Sequence, residues 1–239
     1  MNVSGSVVLV TGANGGIGRA LVAALHAAKA AKIYATTRDP GATAVPGTVP
    51  LNLDVTRPDQ VAAAAQAAGD VTLLINNAGV NFNTGLLKIA STDNARTEME
   101  VNYFGTLAMC RAFAPVLAKN GGGTIVNMLS ILARVNLPLM GSLCASKAAA
   151  LSLTQGVRAE LAKQGTRVIG VLPGAVRTRM TEGIDVPKIE PAEVAAAILA
   201  ALAGDDEEIY PGEMAAGVKA GLAADPKAVE KQFAGFLPP

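Results

Sequence analysis

The sequence predicts a doubly wound α/β fold, a parallel sheet with helices on both faces, in one domain spanning residues 1–239. Three observations carry this. Short β-branched runs alternate with alanine-rich stretches of helical length. The runs are continuously apolar instead of alternating, as strands buried on both faces are. The first run also passes straight into a glycine-rich turn that opens a helix. With 239 residues, 51% of them apolar, the chain is long enough to bury one large core, and no linker, repeat or low-complexity tract divides it.

The strand candidates are Val7–Val10, Lys32–Thr36, Val49–Leu53, Val71–Ile75, Thr124–Met128 and Val168–Leu172, each followed by a helix-like interval. Long alanine-rich helices are expected at Thr92–Ala118 and Ala145–Lys163, with a further one at Ala192–Ala203. Between Arg177 and Pro191, prolines, a glycine and several charges break the helical pattern, so that stretch is read as a mobile segment. A formal net charge of +1 offers no broad attraction for nucleic acid or an anionic membrane, and neither partner is expected. Cys110 and Cys144 lack metal or redox spacing and fit a reduced state, and no metal site is expected. Val7–Val10 follows no basic leader and is too short to span a bilayer, so a soluble, cytoplasmic protein is expected.

The glycine-rich turn reads Thr11-Gly12-Ala13-Asn14-Gly15-Gly16-Ile17-Gly18 and leads into a helix at Arg19–His26. Glycines let the backbone turn tightly and approach a pyrophosphate, whose charge the free amides and the helix dipole attract. With a strand before and a second strand about twenty residues on, this is a Rossmann-type nucleotide loop. At the tip of the second strand stands Thr37, followed by Arg38, where a carboxylate would select the ribose 2′-hydroxyl of NAD. Arginine suits a 2′-phosphate, which gives NADP(H); the alternative is a solvated Arg38 with Asp39 taking the ribose. Asp54, closing the third strand, could accept from the adenine amino group or cap the helix near Pro58. Asn76-Asn77-Ala78-Gly79 suits a strand end where side chains bond neighbouring backbone and the chain passes close to a ligand.

Thr11-Gly-x-x-x-Gly-Ile-Gly18, Asn76-Asn-Ala-Gly79, Val101-Asn102-x-x-Gly105, Ser130, Ala145-Ser-Lys147 and Pro173-Gly174-x-x-x-Thr178 occur in an order and spacing that resembles the classical short-chain dehydrogenase/reductase family over essentially the whole chain. The resemblance implies an oxidoreductase in which Ser130 hydrogen-bonds the substrate oxygen and Asn102 holds a water in a proton relay. It implies that Lys147 binds the nicotinamide ribose and lowers the pKa of a catalytic tyrosine. Pro173, Gly174 and Val176 would lie along the nicotinamide, and Thr178 would bond its carboxamide. Cofactor contacts are further implied for Gly12, Asn14, Gly15, Gly16, Ile17, Gly18, Arg38, Asp54, Asn77, Ala78 and Gly79. A homodimer or homotetramer through the two long helices is implied as well.

The family tyrosine belongs four residues before the lysine, where this sequence has Leu143. A leucine handles no proton and donates no hydrogen bond, terms typically worth about 10²–10⁴ and 10²–10³ in rate. Leu143 could equally be core, packed on Leu137, Leu139 or Met140. His26, Tyr103 and Cys144 are poorly placed to substitute, which leaves Lys147 as a direct or water-relayed donor and Ser130 as a single hydrogen-bond donor. The expected reaction is hydride transfer from NADP(H) to a carbonyl or imine of a small apolar substrate. Ketone reduction would be weakened, and imine reduction is open because an iminium arrives protonated. An inactive variant and a non-catalytic NADP-binding protein are the alternatives. Leu132, Leu137, Leu139, Met140, Leu143 and Met180 are expected pocket walls.

Overall fold

A computed structural model describes residues 1–39 and 45–237. The elements in chain order are β1 (Val7–Val10), α1 (Gly16–Ala27), β2 (Lys32–Thr37), β3 (Val49–Asn52), α2 (Pro58–Ala67), β4 (Leu73–Asn76), α3 (Asp93–Met99), α4 (Thr106–Lys119), β5 (Thr124–Met128), α5 (Gly141–Leu161), β6 (Arg167–Val171), α6 (Pro191–Ala203), β7 (Glu208–Ile209), α7 (Glu213–Ala224) and α8 (Pro226–Ala234). The strands form one sheet in the order β3-β2-β1-β4-β5-β6-β7, with every pair parallel. This is the doubly wound architecture that the sequence predicts.

Strand periodicity divides the core into two layers. Val8, Val10, Ile33, Ala35, Leu73 and Ile75 face Leu21, Val22 and Leu25 of α1 and Val194, Ile198 and Leu202 of α6. Their neighbours Leu9, Tyr34, Leu74, Ile125 and Val168 face the other way, onto α2 and α4, where Phe113 and Leu117 are fully buried. Both faces of the central strands are therefore covered, which is why these strands read as unbroken apolar runs. The order reverses between β1 and β4, so the loops leaving their carboxyl ends diverge and open a crevice.

The structure adds three features to the sequence reading. Helix Thr92–Ala118 is interrupted by a π-helical segment, Glu100–Gly105. Here Asn102 turns its side chain to the backbone of Val80, and Thr106 Oγ1 donates to the Asn102 carbonyl at 2.9 Å. The stretch 177–191 contains one short 3₁₀ turn, Arg179–Thr181, but its base is tied. Val176 bridges Ile189, and Arg177 pairs with Glu190 at 2.5 Å. Finally, β7, α7 and α8 were not foreseen: a two-residue strand has no readable period, and α7 and α8 carry no motif. Among the described residues no helix is long and apolar enough to cross a membrane, and no group of three or more potential ligands could hold a metal.

Candidate active site

At the end of β1 the chain must turn sharply to start α1, and Gly12 does so with φ +62°, a conformation open to glycine. Gly18 permits the close return of the helix. A Cβ there would lie 2.3 Å from the Gly12 carbonyl oxygen. α1 begins after Gly15 with no side-chain cap, so its first amides are free to meet an anion. Asn14 spends its carbonyl on Arg19 Nε at 3.1 Å. A cradle that side chains would fill, beside uncapped amides, fits the pyrophosphate of a dinucleotide.

The β4 end locks this loop in place. Asn77 Nδ2 donates to the carbonyls of Thr11 and Gly12 at 2.9 and 3.1 Å, and Thr11 Oγ1 accepts from the amides of Asn77 and Ala78, both at 2.9 Å. Asn77 thus bonds neighbouring backbone as the tetrapeptide predicts. Asn76 does not; it points inward, donating to Asn127 Oδ1 on β5 at 2.9 Å, while Asn127 donates to Thr154 of α5 at 3.0 Å. This buried polar bolt joins β4, β5 and α5 beneath the crevice. Cys110 lies against it, its thiol pushed up to about 12 by burial.

Arg38 is exposed just past the tip of β2. Asp54, beyond β3, feels the Arg38 charge: burial pushes its carboxyl up, but two hydrogen bonds from Thr56 and the charges of Arg38 and Arg57 outweigh this and hold it below the usual range. Asp54 does not cap α2. Its Oδ1 accepts from Thr56 N and Oγ1 at 2.9 and 2.7 Å, a local turn, and Arg57 stands at the N-cap without a side-chain bond.

A cavity of about 1040 Å³ opens beside the glycine loop. Ile17, Asn77 and Gly79 reach it from the nucleotide side, and Pro173, Gly174, Val176 and Thr178 line it from the β6 end. Thr178 packs on the loop itself, since a Cβ at Gly16 would lie 2.8 Å from its Cγ2. Ser130, Leu143 and Lys147 share the same wall. All six expected wall residues, Leu132, Leu137, Leu139, Met140, Leu143 and Met180, border the cavity.

Ser130, two residues beyond β5, caps a short 3₁₀ turn: its Oγ accepts from Leu132 N at 3.1 Å, leaving its own hydrogen to donate. Lys147, in the second turn of α5, is 9% exposed, and its Nζ donates to the Met128 carbonyl at 2.8 Å. Burial pulls its ammonium from the ordinary 10.5 down to about 8. The Lys147 Nζ and Asn102 Oδ1 both crowd Gly79, where a Cβ would meet them at 3.5 and 3.1 Å. The Asn102 side chain is heavily used: Oδ1 accepts from Val80 N at 3.0 Å, while Nδ2 donates to Val80 O at 3.0 Å and to Ser146 Oγ at 2.9 Å. Both of its amide hydrogens are spent on holding the Val80 segment to α5. Leu143 is 6% exposed, one turn before Lys147 on the same face of α5. Neither His26, Tyr103 nor Cys144 borders the cavity; Tyr103 packs edge-on against Phe104 instead.

Sequence reasoning missed the far wall. Met214 and Val218 of α7 and Phe233 of α8 close the cavity, and a Cβ at Gly174 would sit 2.8 Å from Met214 Sδ. Only the apolar stripe of these helices pointed to burial; nothing in it pointed to a site.

Among solved structures, a short chain dehydrogenase from Burkholderia cenocepacia in complex with NADP is 50% identical, with both chains fully covered and a TM-score of 0.94. Dehydrogenase/reductase SDR family member 7B of Bos taurus is 30% identical over 241 residues, 87% of this chain and 73% of that protein. A 3-oxoacyl-(acyl-carrier-protein) reductase of Vibrio cholerae is 31% identical over 219 residues, 87% of this chain and 88% of that protein. The family model for short chain dehydrogenases matches residues 6–188, from before β1 to the loop beyond Thr178. Together with the seven-stranded parallel sheet, the glycine cradle and the Ser130–Lys147 wall, these matches mean that the chain belongs to the short-chain dehydrogenase/reductase family.

Proposed function

We infer that this chain is an NADP(H)-dependent oxidoreductase that passes a hydride to a C=O or C=N group of an apolar substrate. The observation that carries the reading is that Ile17 of the glycine loop, Asn77 and Gly79 beside it, and the Ser130–Lys147 pair border one cavity of about 1040 Å³ whose remaining wall is mostly aliphatic. The cofactor, when bound, supplies the hydride. Gly12 and the uncapped amides of α1 would hold its pyrophosphate, Arg38 its 2′-phosphate, and Lys147 its nicotinamide ribose; Thr178 would meet the carboxamide. Ser130 orients the substrate oxygen with its free hydroxyl hydrogen, and the leucine and methionine wall excludes water. The NADP complex of the Burkholderia cenocepacia relative supports the choice of cofactor.

Leu143 favours a sharper form of this reading, in which C=N substrates suit the site better than ketones. An iminium arrives protonated and leaves as an amine, so it asks nothing of position 143. The same residue carries the second reading, a cofactor-binding protein with little or no turnover. By resemblance to the family, the chain assembles as a homodimer or homotetramer through α4 and α5.

Fluorescence titration of the purified protein with NADPH and NADH, followed by turnover assays on cyclic imines and matching ketones, separates these readings. Tighter binding of NADPH and its oxidation by either substrate class support the enzyme. Binding without oxidation leaves the non-catalytic reading, and no binding removes both. Imines reduced no faster than their ketones would sink the preference for C=N.

A further inference from the structure

We propose that Lys147 is itself the acid that protonates the substrate oxygen in carbonyl reduction, taking over the task that Leu143 cannot perform. This rests on the reading that the chain is an NADP(H)-dependent reductase.

The geometry leaves few other candidates. Among the described residues that border the cavity, three carry titratable side chains: Lys147, Glu182 and Glu213. Glu182 follows the 3₁₀ turn after Thr178 and Glu213 opens α7, and both are exposed, away from the inner wall where Ser130 stands. Lys147 is the buried one. Its Nζ gives one hydrogen to the Met128 carbonyl, and an ammonium has three, so two are left for the space beneath Gly79 and for the cavity. Ser130 and Leu143 flank that space. A leucine is shorter than a tyrosine and has no polar end, so an oxygen held by Ser130 meets Lys147, directly or through one water, without a phenol between them.

The chemical environment agrees with the geometry. A general acid works best when its pKa lies near the working pH, and burial brings Lys147 to about 8. The charged and titratable groups on the surrounding elements are Asp93, Arg96 and Glu98 of α3, Glu100 and Tyr103 of the π-helical segment, Cys144, Arg158 and Glu160 of α5, and Glu182 and Glu213 at the cavity rim. None of them contributes to the shift, whose cause is burial.

When bound, the reduced nicotinamide would supply a hydride to the carbonyl carbon and be oxidised by two electrons, and the carbonyl π pair would move onto oxygen. One Lys147 N–H bond breaks as the O–H bond of the alcohol forms. Lys147 is left as a neutral amine, and solvent returns its proton.

An N-alkylated cyclic iminium accepts a hydride and needs no proton, so the matched ketone and iminium separate proton donation from everything else. In Lys147→Met and Lys147→Arg, measured at saturating NADPH, the ketone-to-iminium ratio of kcat should fall by about 10²–10⁴, the usual range for a lost general acid. Arginine keeps the charge but does not release a proton, so ketone turnover restored by Lys147→Arg overturns the proposal. An unchanged ratio overturns it too, since Lys147 would then serve the cofactor alone. Should the variants fail to fold, the wild-type pH profile decides. Ketone kcat should decline as pH rises through the Lys147 pKa while iminium kcat stays flat, and parallel profiles overturn the proposal. A readout without cofactor comes from the ¹³Cε lysine resonance of the apoprotein, assigned by its loss in Lys147→Met. It should titrate near 8, and the absence of titration between about pH 6 and 10 rejects the idea. Wild-type protein that reduces the iminium but no ketone removes the acid role and leaves the oxidoreductase standing. Protein that binds NADPH and reduces neither removes the oxidoreductase reading itself.

Discussion

The two halves of the crevice are built on different principles. On the nucleotide side, backbone sterics dictate the letters: a Cβ on Gly18 would lie 2.3 Å from a carbonyl oxygen, and Gly12 needs its positive φ. On the substrate side, aliphatic side chains from α5, the 177–191 loop, α7 and α8 fill volume, and one can replace another at modest cost. Letters forced by close backbone approach cannot change without moving the backbone, whereas letters that only fill space can be exchanged. Position 143 lies on the space-filling side, among the residues that border the cavity. The contrast teaches that the substrate wall can be altered without disturbing the glycine cradle.

The sharpest way to break the comparison is to place a phenol at position 143. Leu143→Tyr should raise ketone kcat by about tenfold to a hundredfold, less than the full worth of a general acid because Lys147 already donates the proton, with little change in NADPH affinity. No rise in steady-state assays would mean that the wall does not present a substrate to Ser130.

Next comes the buried ammonium. Lys147 titrates at about 8 in the folded chain and at 10.5 when unfolded, so between those values the unfolded state binds more protons and stability rises with pH. Below about pH 8 the full deficit applies, on the order of 3 kcal/mol. Urea unfolding at several pH values should show this slope in wild-type protein and not in Lys147→Met. Equal slopes in the two would show that the amine is solvated.

Arg38 offers a smaller effect on the nucleotide side. Arg38→Ala should weaken NADPH binding about ten- to a hundredfold, the worth of a charged hydrogen bond, and leave NADH binding nearly unchanged. Equal losses for both cofactors in a fluorescence titration would assign Arg38 to the Asp54 neighbourhood and not to a 2′-phosphate.

The smallest effect tests tolerance in the substrate half. Nothing lies within 4 Å of a Cβ at Gly217 in α7, so Gly217→Ala should raise stability by less than about 1 kcal/mol through helix propensity. Destabilisation in thermal melts would mean that the far wall is as sterically fixed as the glycine loop.

The sequence by itself determined the sheet, because strands covered on both faces must be apolar throughout, and it determined the nucleotide loop, because a turn this tight admits few residues. Ser130 was legible for a related reason: its Oγ caps the backbone two residues on, a short local contact. Tertiary structure decided the rest. Asn76 looked like a second strand-end cap and is instead a bolt to β5, since its partner Asn127 lies 51 residues away. The apolar stripes of α7 and α8 could have been core anywhere, and only their seat over Gly174 makes them a pocket wall. Lys147 is the clearest case. Its letter suggests a solvated charge, but enclosure by β5, the Gly79 turn and α5 removes the water that would keep it at its ordinary pKa, and that enclosure exists only once the chain is folded.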